Sequence, residues 1–257
     1  MIDKIAILGA FKHEVSQIQK KLKKPEKTKK AGIVFSYGLL GSHKTVVGAT
    51  GWGKVNASSG VTLAIETFKP DVLFYTGTAG TIPSTGLGVG DIVVSQSVLY
   101  TDIGLEADAP WRNLFKDRLP WLPLLKTKEG KFFHQFYPSQ KLLERVKNVA
   151  EEYGANCNCK VRIGNISTSD TILTVNLTIA EEVYTQFELL CSEMEGAAAA
   201  QVCTRYGLPF LIVRGISDVS RRESSGLIGL LMEYRKNRSL AAKRAQEFLL
   251  RLVEHFS

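Results

Sequence analysis

The sequence predicts an α/β fold, built as one domain that spans residues 1–257. Short apolar runs alternate along the chain with segments of helical periodicity, which is the order of elements in α/β proteins. The apolar runs are continuous and do not alternate with polar residues, as expected for a sheet that is buried on both faces. No internal repeat and no linker rich in Pro, Gly or Ser divides the chain.

The first third of the chain contains strands, a hairpin and two helices. Apolar runs with β-branched residues predict strands at residues 4–10, 33–40, 44–50 and 71–76. The second and third of these strands would form a hairpin around Gly41-Ser42-His43. Helical spacing predicts helices at residues 12–23 and at residues 55–68, the latter ending before Pro70. The small residues 77–80 predict a turn after the last of these strands.

The same patterns continue towards the C-terminus. Apolar runs predict strands at residues 91–99, 161–168 and 209–216. Helical periodicity predicts helices at residues 139–153, 175–187, 195–206 and 226–255. The helix at 195–206 is rich in alanine, the strongest helix former.

Residues 104–137 interrupt this alternation and are interpreted as an insertion. The segment is rich in aromatic side chains: Trp111, Phe115, Trp121, Phe132, Phe133 and Phe136. Three interpretations stay open. The insertion packs on the body or on a partner chain, it covers a substrate, or it contacts a membrane interface.

Composition and charge exclude several classes of protein. Hydrophobic residues make up 44% of the chain and charged residues 23%, which is typical of a globular protein with a core. No run has the cationic lead and apolar core of a signal peptide, or the roughly 18 apolar residues of a membrane span. We therefore expect a cytoplasmic protein.

The net charge of +8 raises the question of nucleic-acid binding. Much of the excess lies in residues 20–30, where lysines are predicted to end a helix and continue into a solvated loop. No zinc finger, RNA-recognition signature or interleaved aromatic residues accompany these lysines. A solvated surface is the favoured interpretation, and no nucleic-acid partner is expected.

The cysteines and histidines do not indicate a metal or a cofactor. Cys157 and Cys159 are one residue apart, which suits neither a redox pair nor a zinc site. Cys191 and Cys203 lie in apolar surroundings and are interpreted as buried side chains in a reducing compartment. The four histidines show no ligand spacing.

Two glycine-rich segments resemble nucleotide-binding motifs but lack their essential residues. Residues 48–55 approach a P-loop, yet Val55 stands where a hydroxyl should ligate magnesium. Residues 86–90 precede a strand and do not open a helix, so they are not a dinucleotide fingerprint. The first segment still suits a tight turn whose backbone approaches a ligand.

Three acidic sites stand out by their local settings, two of them just after predicted strands. They are Glu14, the pair Glu193 and Glu195, and Asp218. Each alone has an ordinary explanation as a residue of a first helical turn, a cap or a turn. Because ligands of doubly wound sheets bind beyond the carboxyl ends of the strands, all of them could face one crevice.

The sequence resembles the purine nucleoside phosphorylase and uridine phosphorylase superfamily over nearly its whole length. Within that superfamily it is most similar to nucleosidases that act on 5′-methylthioadenosine and S-adenosylhomocysteine. The matching segments are residues 7–15, 50–57, 69–71, 76–80, 89–95, 193–195 and 214–218. Glu193-Met194-Glu195 and Arg214-Gly215-Ile216-Ser217-Asp218 are the specific ones.

The resemblance implies a three-layer αβα sandwich around a mixed, partly barrel-like sheet. It also implies a homodimer in which residues of the partner close the site. At the position of Asp218 the family has a general acid, which protonates N7 of the leaving purine, and Ser217 would orient it. Glu14 would deprotonate the attacking water, held by Arg214 and Thr78.

The remaining site residues would bind the nucleoside. Glu195 would accept hydrogen bonds from the ribose hydroxyls and stabilise the cationic sugar. Met194 would pack against the sugar face, with Glu193 in the same substrate-binding motif. The backbone around Ile172 and Leu173 would frame the base, although this segment lacks the family's usual aromatic residue.

The choice between water and phosphate depends on arginines that this chain lacks. Phosphorylases of the superfamily have an arginine after the first strand and another before the turn that matches residues 77–78. This chain has Lys12 and His13 at the first site and Tyr75-Thr76 at the second. A phosphate dianion would therefore lack its bidentate clamp, unless Lys12 or His13 partly replaces it.

The leading hypothesis is a hydrolytic purine nucleosidase that releases adenine from 5′-methylthioadenosine or S-adenosylhomocysteine without a metal or cofactor. One alternative is a hydrolase of another 5′-substituted nucleoside, such as a futalosine-type compound or an adenosyl lipid. The others are a purine nucleoside phosphorylase and a nucleoside-binding protein without catalysis.

Overall fold

The structure is a computed structural model that describes residues 2–102, 125–126, 132–133, 135–171, 177–220 and 226–256. Most of the predicted insertion at 104–137 lies outside these residues. So do Ile172 and Leu173, which were predicted to frame the base.

Twelve strands are present among the described residues. In chain order they are β1 (Lys4–Gly9), β2 (Lys23–Lys30), β3 (Ile33–Leu40), β4 (His43–Ala49), β5 (Val72–Thr81), β6 (Ile92–Tyr100), β7 (Leu125–Lys126), β8 (Phe132–Phe133), β9 (Gln135–Phe136), β10 (Val161–Thr168), β11 (Leu189–Glu193) and β12 (Phe210–Val219). Ten of them form one sheet in the order β11-β10-β6-β12-β5-β1-β4-β3-β2, with β9 beside β6, while β7 and β8 pair separately.

The sheet is mixed, and part of it closes on itself. The pairs β1–β4, β1–β5 and β5–β12 are parallel, while the pairs β3–β4 and β6–β12 are antiparallel. An additional antiparallel contact joins Ser192 in β11 to Gly80 in β5. Because Gly80 also pairs with Asp218 in β12, the ends of β5, β11 and β12 meet at one point.

Six α-helices are present in the described part of the chain and cover both faces of the sheet. They are α1 (Lys12–Lys21), α2 (Lys54–Phe68), α3 (Gln140–Cys157), α4 (Leu177–Phe187), α5 (Gly196–Tyr206) and α6 (Gly226–Glu254). One apolar core lies between the sheet and α2 and α5, and another between the sheet and α1, α3 and α6. The three-layer αβα architecture and its mixed sheet are thus confirmed.

Several predicted boundaries were wrong where tertiary pairing decides the structure. The lysine-rich segment expected to be a loop is the edge strand β2, whose backbone pairs with β3. The predicted turn at residues 77–80 continues β5, because its small residues pair with β12. Strand β11 was not predicted, since its five residues follow α4 after a single intervening residue, Glu188.

The other predicted helices and strands are present with ends shifted by a few residues. The hairpin of β3 and β4 is confirmed, with Leu40 opposite His43. A disulfide joins Cys157 to Cys159 at the end of α3, which differs from the expectation of reduced cysteines. Among the described residues, no helix is both long and apolar enough to cross a membrane.

Candidate active site

A cavity of about 270 Å³ opens where β5, β11 and β12 end. It brings together seven of the ten predicted site residues: Glu14, Thr78, Glu193, Met194, Glu195, Ser217 and Asp218. Arg214 lies behind this surface, fully buried in β12. The convergence follows from the closed part of the sheet, which directs three strand ends to one place.

Glu14 is held rigidly at the junction of β1, α1 and β5. It lies in the first turn of α1 and is 2% exposed. Its Oε2 accepts hydrogen bonds from the backbone N–H groups of Ala10 (3.0 Å) and Phe11 (2.9 Å). Its Oε1 accepts from the N–H of Thr78 (2.9 Å) and from Thr78 Oγ1 (3.2 Å). This carboxylate is therefore fixed by four donors and favoured by the helix N-terminus.

Arg214 and Glu193 form a buried ion pair behind the cavity. Arg214 Nη2 donates to Glu193 Oε2 and lies 3.6 Å from Glu195 Oε2. Burial opposes the charge of the guanidinium, but the carboxylates of Glu193, Glu195 and Glu14 together raise the pKa of Arg214. Arg214 was expected to hold Glu14. Its hydrogen bond goes to Glu193, which lies on the strand end facing it.

The carboxylate of Glu193 is fully occupied by contacts inside the protein. Besides Arg214, it accepts from Thr168 Oγ1 and from the N–H groups of Glu195 (2.9 Å) and Gly196 (2.8 Å). These two N–H groups open helix α5, so Glu193 caps the helix that follows Glu195. The arrangement orients Glu195 towards the cavity.

Gly77 permits the close approach of the buried charges. A Cβ atom at this position would lie 2.1 Å from Arg214 Nη1 and 2.9 Å from Glu14 Oε1. Both Nη1 and Nε of Arg214 are buried without a hydrogen-bond partner among the described residues. Arg214 therefore directs unused donors towards the region between β5 and Glu14.

Glu195 faces the cavity with one oxygen already bound. Its Oε1 accepts from the N–H of Gly53 at 2.9 Å, in the turn before α2. Burial raises the pKa of Glu195 to about 8, while Arg214 and the Gly53 N–H act in the opposite direction. A buried carboxyl with this pKa readily exchanges its proton near neutral pH.

Asp218 lies near the end of β12, at the meeting point of the three strands. Burial raises its pKa to about 6, against the hydrogen bond from Ser217 Oγ to its Oδ1 at 2.5 Å. Ser217 Oγ also lies 3.2 Å from the carbonyl oxygen of Ala79. A Cβ at Gly80 would approach Asp218 Oδ2 to 2.6 Å, so glycine leaves room for this carboxyl group.

Several lining residues were not predicted from the sequence. Trp52 directs its indole N–H at the sulfur of Met194, and Phe11 borders the same cavity. Helix α6 contributes Leu231, Tyr234 and Arg238. Trp52 stood in the glycine-rich segment 48–55, where a ligand approach was expected. The α6 residues carried no local signal, because only tertiary packing brings the start of this helix to the site.

The described residues contain no group of three or more His, Cys, Asp or Glu side chains arranged to hold a metal ion. The arrangement supplies instead two kinds of carboxyl group around one cavity. Asp218 can donate a proton, while Glu14 and Glu195 can accept hydrogen bonds from a ligand. This combination suits acid–base chemistry on a small polar molecule.

The chain is similar to proteins of one known family over nearly its whole length. A model of the phosphorylase superfamily matches residues 4–254. A 5′-methylthioadenosine/S-adenosylhomocysteine nucleosidase from Geobacillus thermodenitrificans (strain NG80-2) is 33% identical over 252 residues, covering 97% of this chain and 96% of the relative. The corresponding nucleosidase from Bacillus cereus (strain B4264) is 32% identical over 253 residues, covering 98% of each.

Solved structures give the same result at the level of the fold. The nucleosidase of this type from Colwellia psychrerythraea 34H, in complex with adenine, has a TM-score of 0.80 and is 29% identical, covering 99% of this chain and 96% of that chain. Futalosine hydrolase of Helicobacter pylori strain 26695 has a TM-score of 0.80 and is 25% identical, covering 99% of each chain.

Proposed function

The chain belongs to the phosphorylase superfamily, and we propose that within it the protein is a hydrolytic purine nucleosidase. In the proposed reaction, water cleaves the N-glycosidic bond of 5′-modified adenine nucleosides and adenine is released. The named relatives suggest 5′-methylthioadenosine and S-adenosylhomocysteine as substrates. One observation carries the proposal: the carboxyl groups of Glu14, Glu195 and Asp218 face a single cavity.

Asp218 is the proposed general acid. Cleavage of the glycosidic bond leaves negative charge on the purine, and a proton delivered to N7 neutralises it. A pKa of about 6 keeps an appreciable fraction of this carboxyl protonated near neutral pH, whereas an ordinary aspartate would be almost fully ionised. The hydrogen bond from Ser217 to Oδ1 leaves Oδ2 to carry the proton.

Glu195 is the proposed ribose ligand. A ribose hydroxyl can donate to its carboxylate, which also stabilises the positive charge that develops on the sugar ring. The Gly53 N–H occupies Oε1, so Oε2 remains for the sugar. Met194, in contact with Trp52, supplies an apolar surface for the sugar face.

Glu14 is the proposed base that activates water. Three backbone N–H groups keep the carboxylate in one orientation, and the Thr78 hydroxyl, the longest of the four contacts at 3.2 Å, is the donor that gives way to the water. Deprotonation gives hydroxide, which attacks C1 of the sugar while the base departs with the proton of Asp218. Arg214, which is buried behind the cavity, supplies a positive charge that offsets the carboxylates of Glu193, Glu195 and Glu14.

Water is favoured over phosphate because the cavity is rich in carboxylates. The carboxylate of Glu14 would repel a phosphate dianion, and Arg214, whose Nη2 pairs with Glu193, is buried behind the cavity and does not line it. Lys12 and His13, which had been considered as substitutes for the phosphate arginines, do not line the cavity. The geometry therefore supports hydrolysis.

A second candidate substrate class is favoured by Arg238. This residue lines the cavity and lies near Tyr234 and His13, on the side formed around Glu14. A guanidinium at this place suits a 5′ substituent that ends in a carboxylate, which a futalosine-type nucleoside shares with S-adenosylhomocysteine and which 5′-methylthioadenosine lacks. Replacing Arg238 by Met should then lower kcat/KM for a carboxylate-bearing nucleoside at least tenfold more than for 5′-methylthioadenosine. Equal effects on both substrates would contradict this candidate.

We also propose that the protein acts as a homodimer, as the family resemblance implies. Large apolar side chains of the cavity lining are exposed, namely Trp52 (56%) and Leu231 (43%), and Val55, three residues after Trp52, is 79% exposed. Such side chains next to a polar site are typical of an interface. Light scattering during size-exclusion chromatography should give twice the mass of 28.4 kDa, and a monomer at micromolar concentration would contradict the proposal.

The proposed function is tested by incubating the purified protein with 5′-methylthioadenosine, S-adenosylhomocysteine and adenosine. Chromatography should detect free adenine from the first two at the higher rates. If these nucleosides bind but release no base, the protein is a nucleoside-binding protein and the proposed catalysis is wrong.

A further inference from the structure

Lys54 is the charged residue of the incomplete P-loop at residues 48–55. The proposed reaction does not use its charge. Lys54 is the first residue of α2 and is only 19% exposed in its side chain. Its Nζ lies 2.8 Å from Asp102 Oδ2 and 3.2 Å from Asp170 Oδ2, and 5.4 Å from the ring centre of Tyr100. An ion pair between a partly buried lysine and two carboxylates stabilises the local structure more than an exposed ion pair does.

The two aspartates come from different strand ends. Asp102 follows β6 and Asp170 follows β10, and the N–H of Asp170 donates to Asp102 Oδ2 at 2.7 Å. The N–H of Lys54 also points at Asp170 Oδ1, at 3.4 Å. Lys54 therefore joins the start of α2 to both strand ends, and three chain segments share one cluster.

The residue before Lys54 connects this cluster to the cavity. Gly53 has a φ of 87°, which favours glycine, and its N–H donates to Glu195 Oε1. A Cβ on Gly53 would lie 3.5 Å from Asp170 Oδ1, so the cluster packs directly against this peptide. The direction of the Gly53 N–H thus depends on where Lys54 is anchored.

We infer that Lys54, held by Asp102 and Asp170, is a positioning residue that fixes the Gly53 N–H on Glu195 and thereby orients the carboxylate that binds the ribose. This inference rests on the proposed function, since it assigns the sugar to Glu195. It explains why a lysine follows the glycines although no phosphate or magnesium site is built there. The proposed role concerns ribose binding and predicts no change at the purine end of the cavity, where Asp218 lies.

A purely structural role for Lys54 would not change the titration of Glu195. The groups that act on Glu195 are Arg214 on β12, Glu193 on β11, Glu14 on α1 and the Gly53 N–H. Glu195 in turn acts on Tyr75 of β5. Of these, the Gly53 N–H alone lies next to Lys54, and it lowers the pKa of Glu195. Loss of this hydrogen bond should therefore raise that pKa further.

The first test is ligand binding by the full-length protein carrying Lys54→Met. The probes are adenine and a C-nucleoside analogue of adenosine, in which a carbon–carbon bond replaces the bond that would be cleaved. Loss of one hydrogen bond to a charged group predicts about tenfold weaker binding of the C-nucleoside, with adenine unchanged. Lys54→Arg should restore most of the affinity, because it keeps the charge.

Two controls separate this role from general loss of stability. Lys44→Met removes an exposed ion pair with Asp3 and should leave both affinities unchanged. Asp102→Asn should weaken binding of the C-nucleoside in the same direction as Lys54→Met, and the two changes together should be less than additive.

The pH profile of kcat/KM supplies a second measurement. In Lys54→Met, the break assigned to Glu195 should move to higher pH, while the break assigned to Asp218 stays in place. If the unmodified protein binds the C-nucleoside but Lys54→Met has the same affinity and profile, the inference is wrong. If the unmodified protein binds neither probe, the proposed function itself has failed.

Discussion

Replacing Asp218 by Asn tests whether the buried carboxyl group is kept for catalysis at a cost in stability. Asparagine has the same size and can still accept the hydrogen bond from Ser217 through its oxygen. Asparagine has no acidic proton to transfer. It also removes the unfavourable free energy of an ionised group in a buried position. The substitution should therefore lower activity and raise stability together.

The magnitudes follow from the environment of the carboxyl group, which is 7% exposed. Its pKa rises from an ordinary value of 3.8 to about 6 because of burial. Protonation then favours the folded state, so stability contributed by this group falls as pH rises from about 4 to about 6. The difference corresponds to about 3 kcal/mol, which is fully lost above pH 6. Loss of a general acid lowers kcat by roughly a hundred- to ten-thousandfold.

Two assays on the same preparation distinguish these effects. Release of adenine measures kcat, and thermal unfolding at several pH values measures stability. At pH 8 the Asn variant should be more stable by up to about 3 kcal/mol, and the advantage should disappear towards pH 4. Turnover equal to that of the unmodified protein would refute the role of Asp218. A constant difference in stability at every pH would refute its raised pKa.

Three further predictions concern the other buried groups. Glu14→Gln should lower kcat at least about a hundredfold, because it removes the base that activates water. Its affinity for adenine in a binding titration should stay unchanged. A kcat equal to that of the unmodified protein would exclude this role of Glu14. Gly77→Ala should lower the free energy of unfolding by about 1–3 kcal/mol, because the new methyl group would lie 2.1 Å from Arg214 Nη1; an unchanged melting temperature would show that the site tolerates it. The profile of kcat/KM should be bell-shaped with breaks near pH 6 and pH 8, since only the minor form, roughly 1% of molecules at pH 7, has Asp218 protonated and Glu195 ionised together. Glu195→Gln should abolish the break near pH 8, and its persistence would assign that break to another group.

The order of most elements could be predicted from the sequence because their signals are local. Apolar runs and helical periodicity identified β5 and β12 at the site and the helices that cover the sheet, but not β11. Strand β2 was missed because its lysines have low strand propensity, and only pairing with β3 makes the segment extended. The extension of β5 through Gly80 was missed for the same reason, since it requires partners from β11 and β12.

For the candidate site, the sequence indicated which residues take part, but it did not show the contacts between segments that are far apart in the chain. The local settings of Glu14, Glu195 and Asp218 indicated a shared crevice, and the structure places all three at one cavity. The sequence could not show that Arg214 pairs with Glu193 and that Lys54 pairs with Asp102, because these contacts join segments far apart in the chain. Ion pairs of this kind depend on the final fold.

The most direct test of the account is the identity of the sugar released from 5′-methylthioadenosine in buffers with and without phosphate. Free methylthioribose and adenine should form at the same rate in both buffers, because the carboxylate of Glu14 excludes the phosphate dianion. A sugar phosphate, or adenine release that depends on phosphate, would contradict the assignment of Glu14 as the base that activates water.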